Sequence, residues 1–242
     1  APTLPRRLFR GLYLASRRSP PVDAEWSAAL RAARSLAANL TFGDRARLVR
    51  GMGWKDWHPV EGMYIGNVPA VPRLGIPSIT MQDGPQGFRT NDARLVGTVT
   101  CLPSQLAVGA TWDRDLTYAY ARALGEEFRA KGANVILGPG LNLGRVARNG
   151  RAAEYMSGED PNLGAVLGGE YVRGVQSAGV AAVAKHFVAN TQETDRDTVN
   201  SVISERALRE VYYLPFEAAV HAGVASIMCS CALPSLAARH HC

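Results

Sequence analysis

The chain has 242 residues, 47% hydrophobic and 20% charged, ordinary values for a soluble globular protein and enough for one sizeable core. It contains no apolar run of about 18 residues or more, which argues against a membrane-spanning helix. The formal charge of +6 would suit nucleic acid, but the arginines are scattered and many adjoin carboxylates, as in Asp113-Arg114-Asp115 and Glu205-Arg206. That pattern reads as a solvated arginine-rich surface, not a nucleic-acid interface.

Residues 1–22 are rich in proline and arginine and read as an irregular leader. Arg6, Arg7, Arg10, Arg17 and Arg18 are not followed by the apolar core of a signal peptide, so either a leader has been removed or the sequence is a fragment. Residues 23–40 carry Trp26, Leu30, Leu36 and Leu40 at helical spacing, completing an N-terminal unit of leader and helix over 1–40. Asn39-Leu40-Thr41 fits a glycosylation sequon, a short match that adds little. Thr41 or Asp44 caps a second short helix through Leu48 and Val49, and 51–72 reads as a Gly-, Trp- and Pro-rich loop.

Beyond it, short apolar runs alternate with helical patterns. Strands are predicted at Ile76–Met81, Leu106–Ala110, Ala133–Leu137, Val180–Phe187 and Ala225–Cys229. Helices are predicted at Thr117–Lys131, Asn162–Ala178 and Glu205–Ala222. A parallel neighbour is reached only by a crossover, so strands separated by helices imply a parallel sheet. The expected fold class is α/β, a (β/α)₈ TIM-type barrel of which about the first five of eight strands are present. An open doubly wound sheet is the rival, but no Gly-x-Gly-x-x-Gly turn follows any strand.

Four cysteines are present. Cys229, Cys231 and Cys242 crowd the C-terminus with His240 and His241, but the usual C-x-x-C spacing of a metal site is absent. With Cys101 they are too few to staple the fold or to fix a redox compartment.

In a parallel barrel the active site lies at the C-terminal strand ends, so the polar residues directly after each strand are the informative ones. These are Gln82-Asp83-Gly84-Pro85 with Arg89, then Asn142 to Arg145 with Arg151 and Glu154, then Lys185-His186 through Glu193, and finally Met228-Cys229-Ser230. A carboxylate can accept two hydroxyls of a sugar ring while Arg, Lys and His donate to the other oxygens; charge-assisted bonds of this kind reach about 1.5–3 kcal/mol each. The set suits a neutral polyol and equally a phosphorylated or carboxylated ligand.

Each residue also has a plainer reading. Asp83 could cap a turn through Gly84, and Lys185-His186 could be a charged strand end. Successive strand residues point to opposite faces. If both reach one ligand, the backbone must break its alternation, with an irregular or cis peptide between them. Glu193 and Arg196 suit a structural ion pair, and Glu159-Asp160-Pro161 suits a helix start. Trp54, Trp57 and Trp112 suit either sugar stacking or core and loop packing, with packing preferred. His221 reads as a helix-surface residue.

The motifs Asp83-Gly84-Pro85 with Arg89, Gly150-Arg151-Ala152-Ala153-Glu154, Ser157-Gly158-Glu159-Asp160-Pro161, Lys185-His186-Phe187, Asn190-Thr191-Gln192-Glu193 and Met228-Cys229-Ser230 resemble the N-terminal barrel of family 3 glycoside hydrolases. They stand in that family's order and spacing, from about Leu40 to Ser230, with the likeness strongest to fungal and microbial β-glucosidases. The resemblance implies a partial glycosidase barrel over 41–230 and a divergent tail over 231–242. It implies that Asp83 binds the distal hydroxyls of the first sugar, flanked by Arg89 and Arg151, with Lys185 and His186 on the opposite side and Met228 lining the pocket. It implies a retaining hydrolase of terminal β-D-glucosyl or β-xylosyl residues, active in polysaccharide breakdown, secreted, and needing no metal or organic cofactor. A non-catalytic sugar-binding fragment or pseudoenzyme is the alternative.

Two departures stand out. The family continues Met-Cys-Ser with Tyr-Asn, where this chain has Cys231 and Ala232. The nucleophilic aspartate expected on the next strand, and the second domain that carries the acid, are not among these residues. A frameshift, an altered splice or a truncated gene is the expectation, with no turnover by this chain alone.

Overall fold

The computed structural model describes residues 24–56, 58–60, 62, 64–90 and 92–231. The leader, Trp57 and the tail with His240, His241 and Cys242 lie outside the described residues.

Helix α1 spans Ala24–Ala38 and α2 spans Phe42–Arg50. Of the two candidate caps for α2, Thr41 takes the role. Its hydroxyl accepts the Asp44 N–H at 3.1 Å, while the Asp44 carboxylate accepts the Thr41 N–H at 2.9 Å. This reciprocal capping box satisfies two donors that a helix start otherwise leaves unpaired. A two-stranded ribbon follows, β1 at Trp54–Lys55 against β2 at His58–Pro59.

The main sheet has five strands: β3 (Gly66–Val68), β4 (Ile79–Asp83), β5 (Val135–Leu137), β6 (Ala181–Phe187) and β7 (Ser226–Cys229), side by side in that order. β3 runs antiparallel to β4, and β4 to β7 are mutually parallel. Their registers pair Asp83 with Leu137 and Phe187 with Cys229, so the C-terminal strand ends lie along one rim. The fold is α/β, as expected, with the crossovers made by helices.

Those crossovers are α3 (Gln105–Gly109), α4 (Arg114–Ala130) and α5 (Pro161–Ser177), followed by α6 (Glu205–Ala207) and α7 (Leu214–His221). Asp113 caps α4 and Asp160 caps α5, the latter with Pro161 at the first helical position, as the Glu159-Asp160-Pro161 motif predicts. On α4 the buried residues Ala121, Leu124, Gly125 and Phe128 form one face. On α5 Leu167, Gly168, Tyr171, Val172 and Val175 form another. Full burial of a side chain such as Leu124 or Phe128 contributes about 2 kcal/mol. The helices cross at glycine. A methyl group on Gly174 would stand 2.5 Å from the Tyr118 carbonyl oxygen and 2.8 Å from the Ala121 Cβ.

Three expectations need correction. Leu106–Ala110 is not a strand; Gln105–Gly109 is helical, started by Ser104, whose hydroxyl accepts the Ala107 N–H. A five-residue apolar run fits either period, and here the cap and the burial of Gln105, Val108 and Gly109 on one side decide it. The loop over 51–72 contains the β1–β2 ribbon and one strand of the main sheet, β3. Asn67 secures it by donating to the carbonyls of Met52 and Tyr64 and accepting the Tyr64 N–H, side-chain bonds that composition does not reveal. Glu205–Ala222 is not one regular helix. Leu208–Tyr212 forms a π turn between α6 and α7, closed by the Tyr213 N–H to the Leu208 carbonyl. Pro215 lacks the N–H that an unbroken α-helix would donate to Val211. The turn places Tyr213 flat on Phe187, centroids 5.3 Å apart, while Phe216 meets the same ring edge-on at 5.2 Å.

Candidate functional site

All six residues expected at the rim, Asp83, Arg89, Arg151, Lys185, His186 and Met228, line one cavity of about 580 Å³ at the C-terminal ends of β4 to β7. That volume lies within the range of small-molecule sites. A larger hollow of about 810 Å³ lies by α2 and β3, but its lining holds only Arg47 and Arg50 as charged groups, beside Val49, Met52 and Trp54. It lacks convergent polar groups of both signs, so the smaller cavity is the candidate site.

Asp83 closes β4. Gly84 follows it at φ +111, a conformation that favours glycine, and lets the chain turn so that the Arg89 N–H reaches the Asp83 carbonyl at 3.1 Å. The Asp83 carboxylate accepts from the Lys185 ammonium at 2.9 Å and meets the Arg89 guanidinium at 3.4 Å. Burial alone would raise the Asp83 carboxyl; the charge and hydrogen bond of Lys185 outweigh it and hold the group below its ordinary value. Asp83 is therefore ionised at neutral pH. The plainer reading, a cap for the turn, holds beside this one: the carboxylate also accepts from the Gly84 backbone, which likewise lowers its pKa.

Lys185 and His186 close β6, and both line the cavity. The peptide between them is cis, the break in alternation expected if both reach one ligand. Asn142 clamps the backbone there, accepting the His186 N–H at 2.7 Å and donating to the His186 carbonyl at 2.9 Å. Arg151 sits on the loop after β5. It donates to Glu154 at 2.6 Å and lies 3.7 Å from Glu193, which in turn pairs with Arg196 at 3.3 Å, as expected. Glu154 also lies 3.7 Å from Lys185. Cations and carboxylates thus alternate around the rim.

Three further residues contribute, two of them, Glu154 and Tyr155, on the rim segment that the sequence marks but without a role assigned there. Glu154 stands on the rim by sequence, and its spacing of three from Arg151 is the signal for the ion pair it forms. Tyr155, 1% exposed, touches the His186 ring. Gln105, fully buried, accepts the Gly140 N–H at 2.8 Å and donates to the Pro85 carbonyl at 3.1 Å, tying the turns after β4 and β5 together. It sits on the segment misread as a strand. Trp54 and Trp112 are 49% and 70% exposed and lie outside the cavity lining; neither is in the core, and Trp54 packs on a loop as preferred, its indole donating to the Ile65 carbonyl at 2.7 Å. His221 is on the surface of α7, as expected. Cys101, Cys229 and Cys231 are free and exposed. No cluster able to hold a metal ion occurs among the described residues.

Burial, reinforced by the charges of Lys185 and Arg151, lowers the His186 pKa to about 3 from its ordinary 6.5. Between those values the unfolded chain binds a proton that the folded chain refuses, so stability falls as pH drops from 6.5 toward 3. Asp83 contributes in a separate window, its stabilisation being lost as pH falls below 3.8 toward its lowered value. Urea titrations between pH 6.5 and 4.5 are expected to show a loss approaching 1.4 kcal/mol per pH unit, a slope that H186Q removes. An equal slope in H186Q would show that the ring titrates normally.

With this geometry in place, the sequence comparison is decisive: the family model for the glycosyl hydrolase family 3 N terminal domain matches residues 35–240. The chain belongs to glycosyl hydrolase family 3. Among family 3 relatives, a probable beta-glucosidase of Arthroderma benhamiae is 39% identical over 240 residues, covering 86% of this chain and 28% of the relative. A probable beta-glucosidase I of Aspergillus fumigatus is 44% identical over 181 residues, covering 75% and 20%. Of solved family 3 structures, beta-glucosidase 3B of Thermotoga neapolitana in complex with glucose superposes with a TM-score of 0.76 at 37% identity, over 84% of this chain and 29% of that one. A beta-glucosidase of Chaetomella raphigera superposes with a TM-score of 0.76 at 40% identity, over 88% and 28%. The chain therefore spans under a third of the length of these family 3 proteins.

Proposed function

We propose that this chain is the sugar-holding part of a β-glucosidase-type active site, taking a terminal β-D-glucosyl or β-xylosyl ring into the cavity at the rim. The observation that carries the reading is the pairing of Asp83 with the buried Lys185 at 2.9 Å, with His186 and Arg151 on the same cavity. Asp83 accepts two adjacent hydroxyls of the ring, and Lys185 and Arg151 donate to ring oxygens. Met228 covers an apolar edge, and Arg89, 65% exposed at its side chain, closes the outer side. The sequence left an anionic ligand open. Glu154 now favours the neutral sugar: Lys185 and Arg151 already face carboxylates, so little uncompensated positive charge remains for a phosphate. The five-stranded sheet is, on this reading, part of a (β/α)₈ barrel.

Hydrolysis follows the retaining route, in which one carboxylate attacks the anomeric carbon and an acid protonates the leaving oxygen. The family's Met-Cys-Ser-Tyr-Asn run is here Met228-Cys229-Ser230-Cys231-Ala232, and no aspartate or glutamate follows Glu217. On this reading these residues hold the sugar and do not themselves supply the nucleophile or the acid. Secretion belongs to the same reading.

Isothermal titration of the folded chain with glucose, alongside a chromogenic β-glucoside assay, tests this. Heat of glucose binding without hydrolysis is the expected result. Turnover by these residues alone would overturn the division of labour, and a folded chain indifferent to glucose would overturn the sugar site.

A further inference from the structure

His186 presents two ring nitrogens, and its surroundings decide which carries the proton. Nδ1 lies 2.9 Å from the Tyr155 hydroxyl oxygen. That hydroxyl also lies 2.6 Å from the backbone carbonyl oxygen of Asn190. A carbonyl only accepts, and a tyrosine hydroxyl has one proton to give. If Tyr155 donated to Nδ1, two oxygen acceptors would face each other at 2.6 Å with no proton between them, in a place where both residues are essentially dry. Sending the proton to Asn190 satisfies the carbonyl and leaves the Tyr155 oxygen to accept from Nδ1–H. Leaving a buried acceptor unpaired disfavours the other arrangement by about tenfold or more.

We infer that Tyr155 is a positioning residue that locks His186 as the Nδ1–H tautomer, leaving Nε2 as a bare acceptor for a ligand hydroxyl. Nε2 has no partner among the described residues, while His186 lines the cavity. The neutral ring agrees with its setting: burial first, then Lys185, Arg151 and Arg196, oppose a second proton, with Asp83 alone favouring it. Tyr155 itself stays protonated, because burial raises its pKa. The consequence is directional. Lys185 and Arg151 can only donate, so His186 joins Asp83 and Glu154 in requiring that the ligand bring protons. A hydroxyl fits His186, whereas a fluorine, a methyl ether or a keto oxygen at that position does not.

This rests on the sugar-site reading for its ligand, but not for its tautomer, and the experiment separates the two. Long-range proton–nitrogen correlation on the histidine-labelled chain without ligand reads the tautomer directly, with H186Q identifying the signal. A pyrrole-type Nδ1 and a pyridine-type Nε2 are expected at neutral pH. An Nε2–H ring, or an imidazolium, would overturn the inference whether or not glucose binds. In the folded Y155F chain the His186 signal is expected to move toward the Nε2–H form, with glucose affinity reduced about fivefold to tenfold. A Y155F chain that keeps the wild-type tautomer would show that Tyr155 does not set it. If the tautomer is as stated but glucose leaves Nε2 unmoved, the inference holds and the sugar reading falls.

Discussion

Replacing Asp83 by asparagine should weaken glucose binding by about a hundredfold and also destabilise the chain. The binding loss follows from removing the charge that makes two hydrogen bonds to ring hydroxyls strong, a difference of about 2–3 kcal/mol in total. The stability loss has another origin. The Lys185 side chain is only 4% exposed, and without Asp83 its remaining carboxylate is Glu154 at 3.7 Å. Removing one partner of a buried pair costs about 3–5 kcal/mol. About 3 is expected here, because Asp83 keeps 26% of its side chain in water. Urea melts and glucose titrations on the same protein read the two effects separately. The double variant D83N/K185M tests the cause: it should recover most of the stability, since the stranded charge is gone, while glucose binding stays lost. Unchanged binding in folded D83N would remove Asp83 from the site.

The second large effect is expected far from the cavity. Gly174→Ala should lower stability by about 2 kcal/mol and the melting temperature by about 4–8 °C. In an isolated helix the change would help, since alanine is favoured over glycine by about 1 kcal/mol. The sign is reversed by the α4–α5 crossing, where the new methyl meets backbone, the Tyr118 carbonyl oxygen at 2.5 Å and the Arg122 nitrogen at 3.1 Å. Neither can step aside without moving a helix. Gly169, one turn and a half earlier on α5, is the control. Its methyl would meet only the Arg173 guanidinium, at 3.4 Å and beyond, which is the mobile end of a long side chain. Gly169→Ala should be neutral or mildly stabilising. If thermal melts show the two variants behaving alike, the close helix approach is not what fixes Gly174.

The parts of the fold carried by long periodic patterns were legible in the sequence. α4 and α5 repeat their apolar faces over several turns, so their periods are unambiguous. β5, β6 and β7 are short apolar runs flanked by such helices, and Lys185, His186 and Met228, at the C-terminal ends of β6 and β7, could be placed on the rim by position alone. The failures share a cause. The α3 segment is too short for its period to speak, and it was settled by a serine cap and by what Gln105 reaches across the fold. β3 exists because Asn67 supplies bonds to a neighbouring loop, not because Gly66-Asn67-Val68 prefers extension. The π turn at Leu208–Tyr212 depends on aromatic rings meeting Phe187, a partner some twenty residues away. Glu154 and Tyr155 are placed on the rim segment by sequence, but their roles are not legible there, since what marks them is the neighbour each finds in space. Six of the side chains that line the cavity were readable from their place after a strand, whereas Gln105 and Tyr155, which hold other residues in place, were not.

Gln105 has an engineering consequence. Because one amide spans the Pro85 carbonyl and the Gly140 N–H, the turns that carry Asp83 and that lead toward Arg151 are braced as a unit. Widening the cavity for a bulkier substrate by remodelling either turn would therefore drag the other along. Redesign has its freest hand at Arg89, the outermost of the six residues, where reshaping leaves that brace intact. Random variants selected for binding a bulkier sugar should accordingly accumulate at the mouth and spare position 105.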